Sequence, residues 1–479
     1  MHRRVWGVAI AGILAAGGAV ISAGSAGAAT PVGVAPSSGA VAEVPPSATG
    51  SAPTPIKHVI IFYQENHSFD NVLGALCVEI KRCDGTTTGV LSTGATIALR
   101  QSPDVVPGIQ HNVTSQQTAI NGGAMNGFDL IGGCLQSQNY ACFTQYEPSQ
   151  IPNVAALAKQ FVVADHVFEL NPIPSWAAHL ELVTTTLDGF SGDDPEVNNA
   201  DWGCQYGAKA EWSATGQPGT DILVPGCVPA PAGSPEVASE PVAVQQSPVS
   251  WVPTIMDSLA TTKKTWKIYA APAGQGDYAW SICPTFADCL YTDEATHVVP
   301  ASQVVSDATT GKLPNFSLLL PEYGPTGDTS QHNDDSMIVG DNWIGQVVQA
   351  VEDGPDWNST AILLTWDDCG CFYDHVAPPA GSGEGVRVPV VIISPWAKQH
   401  HTDSTPTSIP SYLAMAEYLL GVPPVTSVDA ASYDFASDFN FRQTPAELAS
   451  NRVAMVTTPE PKSSVAYIAA HPPNPHDPT

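Results

Sequence analysis

Two short apolar runs that end in acids constrain this chain more than any other feature. Lys57-His-Val-Ile-Ile-Phe-Tyr63 leads through Gln64 into Glu65-Asn-His-Ser-Phe-Asp70, and Thr360-Ala-Ile-Leu-Leu-Thr-Trp366 leads directly into Asp367-Asp368. Runs this short, rich in β-branched and aromatic residues and without polar alternation, are strands covered on both faces. Val388-Pro-Val-Val-Ile-Ile-Ser394, ahead of Pro395, reads as a third strand of the same design. Helical spacing at Val154–Gln160, Trp343–Val351 and Ser408–Leu420 supplies elements to flank a central α/β sheet. In such sheets, loops from distant parts of the chain meet beyond the carboxyl ends of the strands, and ligands bind there. Those ends carry the acids.

The 479 residues carry a formal charge of −29, which opposes binding to nucleic acid or to anionic lipid and points to a small substrate, neutral or zwitterionic overall. The first 29 residues have a basic start (His2, Arg3, Arg4), an apolar stretch from Val5 to Val20 and small residues at Ala26 to Ala29, which is the pattern of an export signal. The Arg3-Arg4 pair points to the twin-arginine route, and an uncleaved N-terminal anchor is the competing reading. No later run is long and apolar enough to span a membrane. The expected product is secreted or attached to the cell envelope. Residues 30–54, rich in Ala, Pro, Ser and Gly, read as a linker; residues 55–458 as one catalytic domain; residues 188–246 as an irregular insertion; and residues 459–479 as a Pro-rich tail.

All ten cysteines lie beyond the export segment. An even count in an exported chain suggests disulfides, and nearest-neighbour pairing gives 77–83, 134–142, 204–227, 283–289 and the strained 369–371. Zinc ligation is the alternative, but the paired C-x-x-C spacing of structural zinc sites is missing.

Glu65 and Asn66 offer two oxygen ligands to a hard cation, although Asn66, Ser68 and Asp70 could equally cap the loop after the strand. Asp367-Asp368 shifts the balance, because acids brought close to Glu65 repel unless a cation joins them.

At this point the sequence resembles the bacterial phospholipase C and acid phosphatase phosphoesterases of the alkaline-phosphatase-like superfamily. Their opening Glu-Asn-Arg-Ser-Phe-Asp is matched by Glu65–Asp70, and their Trp-Asp-Glu-x-Gly-Gly-x-x-Asp-His-Val-x-Pro-Pro by Trp366–Pro379; Gly385-Val-Arg-Val-Pro389 and Ser394-Pro395 follow. His67 replaces the usual Arg, Asp368 the usual Glu, and Cys369 and Cys371 bracket Gly370. The resemblance implies a three-layer α/β sandwich with a mixed, mostly parallel central sheet. It implies one divalent cation (Ca, Mg, Mn or Zn) held by Glu65, Asn66, Asp367 and Asp368. It implies Ser175, in Pro174-Ser-Trp-Ala-Ala-His179, as nucleophile; read locally, Ser175 could instead cap the helix that follows. His111, His332 and His375 match active-site histidines that would protonate the leaving alcohol, each of them otherwise an ordinary solvated histidine. The expected activity is hydrolysis of a small phosphoester or phospholipid. A sulfatase-like reading lacks its Cys-x-Pro-x-Arg motif, and an exported binding protein that has lost catalysis is the rival from another class.

Overall fold

The apolar runs become the centre of a sheet. The computed structural model describes residues 54–134, 140–195, 202–215, 220–275, 277–322 and 329–472; the export segment and all of the linker except Thr54 lie outside these. We number the strands of the main sheet β1 (His58–Gln64), β2 (Val162–Ala164), β3 (Trp266–Tyr269), β4 (Val298–Val299), β5 (Phe316–Leu319), β6 (Thr360–Trp366), β7 (Val390–Ile393) and β8 (His401–Asp403). Their order across the sheet is β4-β3-β5-β1-β6-β7-β2-β8. β1 lies between β5 and β6, parallel to both, and β6 is buried along its whole length, as a continuous apolar run requires.

β7 departs from the expected design. It runs antiparallel to both β6 and β2, so its carboxyl end points away from the acids. Ser394 donates from Oγ to the carbonyl of Thr360 at the start of β6 (2.8 Å), which places Ser394-Pro395 at the opposite end of the sheet from Asp367-Asp368. An apolar run does not encode its own direction.

Six helices matter here: α1 (Val113–Ile120), α2 (Pro152–Gln160), α3 (Ser175–Thr184), α4 (Met337–Asp353), α5 (Pro410–Leu420) and α6 (Lys462–Ala470). α3 packs on α5, and α2 packs on α4. α4 starts earlier than its apolar periodicity suggests, because Ser336 caps it by accepting from the Val339 amide. Of the Pro-rich tail, residues 459–472 are described and carry α6, while 473–479 lie outside the described residues. Val456 and Thr458 donate to Asn153 and Asn342 (2.8 Å each), and α6 follows. The insertion also has structure: a hairpin of Lys209–Trp212 with Ile222–Pro225.

Disulfides 77–83, 134–142, 204–227 and 283–289 are formed as nearest neighbours. Cys369 and Cys371 are not joined; both are buried thiols with their sulfurs 3.8 Å apart. No helix among the described residues is long and apolar enough to cross a membrane.

Candidate active site

β1 and β6 are adjacent and in register, with Gln64 opposite Trp366, so the next residues of each strand emerge side by side at the carboxyl edge. The Asp367 amide donates to the Gln64 carbonyl (2.9 Å), and the Asn66 amide donates to Asp367 Oδ1 (2.8 Å). Asn66 sits at φ +57, the left-handed conformation that Asn tolerates better than most residues. Gly370 is at φ +50, and a Cβ there would lie 2.1 Å from the Asn66 carbonyl oxygen. Only glycine lets the two loops close on each other.

Ser175 is the first residue of α3, after the extended Pro174, and its side chain does not cap the helix. Its hydroxyl lies 3.2 Å from Asn66 Oδ1 and 3.2 Å from Asp368 Oδ2. The exposed amide at the helix start is met by another residue, Asp194, which accepts from the Trp176 amide (3.0 Å).

One turn further along α3, His179 presents its ring on the same side as Ser175, as the i, i+4 spacing dictates. Its Nδ1 is 2.8 Å from the Trp280 carbonyl and therefore carries the proton, which turns the lone pair of Nε2 toward Glu65 Oε1 at 3.4 Å. Burial lowers the His179 pKa and keeps the ring neutral. Glu65, His179 and Asp367 place ligand atoms within 4.8 Å of one another. His111 is fixed the same way: Nδ1 donates to the Ile109 carbonyl (2.7 Å), and Nε2 lies 3.4 Å from Asn66 Nδ2 and 3.9 Å from Asp368 Oδ2. His332 joins this group, with its ring 6.3 Å from that of His111 and Nδ1 2.8 Å from the Asn333 carbonyl.

His375 is placed in a different cluster. Its Nδ1 meets Asp70 Oδ2 (2.5 Å) and its Nε2 meets Asp84 Oδ1 (3.2 Å), with Arg387 and Asp374 beside it. Glu65, Asn66, Ser175, Asp367, Asp368, His111 and His332 are brought together without it.

The electrostatics of this group are unbalanced. Burial, reinforced by the charge of Glu65, pushes the Asp367 carboxyl up to about 8. Burial and Asp367 raise Asp368 in the same direction, and burial raises Glu169, whose Oε1 accepts from the Cys369 amide (2.8 Å). Asp367 Oδ2 is buried without a hydrogen-bond partner. An orphaned carboxylate oxygen beside a second carboxylate, a neutral imidazole, an amide oxygen and a hydroxyl is a donor set that suits a divalent cation. At the position where an arginine is usual, His67 is buried, its pKa lowered by burial to about 3, and its ring packs against Phe372 and Tyr146. It carries no charge into the site.

Sequence reasoning missed His179, Glu169 and Asp194 as members of the site. Only His179 had a usable signal, its four-residue spacing from Ser175.

The phosphoesterase family model matches residues 56–423, a span that contains every residue of the candidate site. Non-specific phospholipase C6 of Arabidopsis thaliana is 23% identical over 386 residues, covering 72% of this chain and 63% of the relative; non-specific phospholipase C3 of the same plant is similarly covered, at 65% of its length. The chain thus spans a little under two thirds of these relatives. Phospholipase C A of Mycobacterium tuberculosis is 22% identical over 456 residues, covering 83% of this chain and 81% of that protein. A solved protein in the alkaline phosphatase superfamily from Vibrio parahaemolyticus aligns at 12% identity over 81% of this chain and 71% of its own, with a TM-score of 0.37. With the family model spanning both acid-bearing strand ends and the serine helix between them, the chain belongs to the phosphoesterase family.

Proposed function

We propose that the chain is an exported, cation-dependent phosphoesterase of the phospholipase C or acid phosphatase type that works through Ser175. The observation that carries this reading is the Ser175 hydroxyl. It sits at the first position of α3 and turns to Asn66 Oδ1 and Asp368 Oδ2 rather than capping its own helix. Glu65, Asp367 and His179, with Asn66, Ser175 and Asp368, would hold the cation, and the imidazole in the set favours Mn or Zn over Ca or Mg. When bound, the cation would offset the charge of the carboxylates, lower the pKa of the serine hydroxyl and balance charge on the phosphoryl group.

The residues of the chain account for the proton balance. As Ser175 Oγ forms its bond to phosphorus, Asp368 Oδ2, 3.2 Å away, accepts the hydroxyl proton. The bond from phosphorus to the leaving alcohol breaks, and His332 or His111, in its doubly protonated form, gives that alkoxide a proton from Nε2. Water then attacks the phosphoserine and loses its proton to the imidazole; the Oγ–P bond breaks, Ser175 Oγ takes back the proton held by Asp368, and the phosphate or phosphomonoester leaves. Nδ1 of both rings is held on a backbone carbonyl, so each ring turns Nε2 and no other atom to this task. Export is supported by the four disulfides, which persist in oxidising compartments.

The test is Ser175→Ala, assayed against phosphatidylcholine, a phosphomonoester and a water-soluble phosphodiester. We expect a loss of about three or more orders of magnitude in rate, with stability lowered by about 1–3 kcal/mol because two buried acceptors lose the hydroxyl. An acid quench of the parent should trap phosphate on the peptide around Ser175. A folded alanine variant with near-parental turnover puts the nucleophile elsewhere.

A further inference from the structure

Ser175 and His111 meet the same two side chains, and they arrive from separate helices. Ser175 Oγ lies 3.2 Å from both Asn66 Oδ1 and Asp368 Oδ2, while His111 Nε2 lies 3.4 Å from Asn66 Nδ2 and 3.9 Å from Asp368 Oδ2. Ser175 opens α3, and His111 comes two residues before the first residue of α1. Whatever fixes the spacing of these two helix starts also fixes the distance between the two groups, on which rate depends steeply.

Both starts are held by one short segment outside the helices. Pro174, at the cap position of α3, has no side-chain acceptor, so the Trp176 amide turns to Asp194 Oδ1 (3.0 Å). The adjacent acid, Asp193, accepts from the Val113 amide at the start of α1 through its own Oδ1 (2.9 Å). Each carboxylate lies where a helix dipole favours negative charge. Gly192, next to the pair, fits between the two elements: it is at φ +111, and a Cβ there would stand 2.5 Å from Ile173 Cγ2 and 3.4 Å from Val113 Cγ2. The buried Gln116 of α1 spans the same two elements, donating from Nε2 to the carbonyls of His111 (3.2 Å) and Ile173 (2.7 Å). The segment is anchored in turn. The Ser191 amide donates to the Glu211 carbonyl (2.9 Å), and Phe190 stands edge-on to Trp176 (5.1 Å).

We infer that Asp193 and Asp194 are positioning residues, a two-acid staple that joins the starts of α1 and α3 and so holds His111 and Ser175 at their working distance on Asn66 and Asp368. The inference rests on the phosphoesterase reading and adds to it two residues that act through the helices rather than on the substrate. Neighbouring acids on one short segment cannot move independently, so a shift of one helix start is passed to the other. A local cap would serve one helix only.

The experiment measures kcat and KM for a water-soluble phosphodiester, together with amide hydrogen exchange at the starts of α1 and α3, in the full-length parent, in Asp193→Ala and Asp194→Ala, and in their asparagine counterparts. Loss of either carboxylate should lower kcat about ten- to a hundredfold, the scale of an ångström of misplacement, with KM within about threefold of the parent. Asparagine keeps an acceptor oxygen and should bring kcat back to within about threefold of the parent. Exchange should quicken at the starts of both helices in each alanine variant, although each substitution strips an acceptor from only one. Should one alanine variant fail to fold, the other decides. A folded alanine variant with parental kcat overturns the inference, as does faster exchange confined to the helix that lost its acceptor. An asparagine variant as impaired as its alanine counterpart also overturns it, because charge and not the hydrogen bond would then be at work. A parent that hydrolyses no phosphoester sinks the enzymatic reading instead, and the exchange pattern alone then decides whether the staple joins the helices.

Discussion

Two buried acid clusters lie on either side of the Glu65–Asp70 segment, and they solve the same electrostatic problem differently. In the second, Arg387 is fully buried and donates from Nε and Nη2 to the two oxygens of Asp374 (2.9 and 3.2 Å), while Nη1 donates to the carbonyls of Asp84 and Asp165 (3.1 and 2.7 Å). Its guanidinium also stacks over Phe69 and lies 3.6 Å from Asp70. Burial works to lower the His375 pKa, but the Asp70 hydrogen bond and charge overcome it and raise it. Cations built into the chain balance these acids. In the first cluster the ion-pair partners found for Glu65 and Asp368 are His179 and His111, and no lysine or arginine pairs with Glu65, Asp367 or Asp368 among the described residues. Where Arg387 balances the second cluster from within the chain, the proposed cation would balance the first from outside.

Removing the built-in cation should do the most damage. Arg387→Met strands Asp374 and Asp70 as buried charges and should cost about 3–5 kcal/mol in urea denaturation, with no rescue by added metal. A variant as stable as the parent would mean that Arg387 is not what balances the second cluster.

The next effect is on pH dependence. In metal-free protein the folded Asp367 carboxyl titrates near 8, above the roughly 3.9 of an unfolded aspartate. Between those values the folded state binds more protons, so stability should fall as pH rises from about 4 to 8. Asp367→Asn should flatten that slope, and saturating cation should abolish it in the parent. A metal-free parent that gains stability over this range contradicts the placement of the charge.

The smallest effect concerns the thiols. Cys369 and Cys371 flank the ligand loop, yet the donor set is oxygen and imidazole. Replacing both by alanine should change cation affinity by no more than about threefold. Alkylation of the unreduced, denatured parent should label two of the ten cysteines. A large loss of affinity would make the sulfurs ligands.

The strands and their terminal acids were legible because a fully buried strand must be continuously apolar, and acids that follow it stand out at once. Ser175 is singled out in the sequence only by the family pattern, since locally it resembles a helix cap; its place beside Asn66 and Asp368 comes from the packing of α3. The direction of β7 was not legible, because pairing with β6 and β2 decides it. Nor was the fate of His375, which matches an active-site pattern in sequence but is captured by Asp70 and Asp84, both roughly three hundred positions away, next to an arginine that also reaches the remote carbonyls of Asp84 and Asp165. Glu169 and Asp194 are similarly invisible, their roles set by the amides of Cys369 and Trp176.

The contrast between the clusters is tested most directly by calorimetric titration of EDTA-treated protein with Mn or Zn, comparing the parent with Asp367→Asn. The account predicts one tight binding event in the parent, accompanied by a rise in Tm, and its loss in the variant while the disulfide-bonded fold persists. Equal affinity in the two proteins, or hydrolysis that survives exhaustive chelation, would show that the acids at the ends of β1 and β6 are not a cation site.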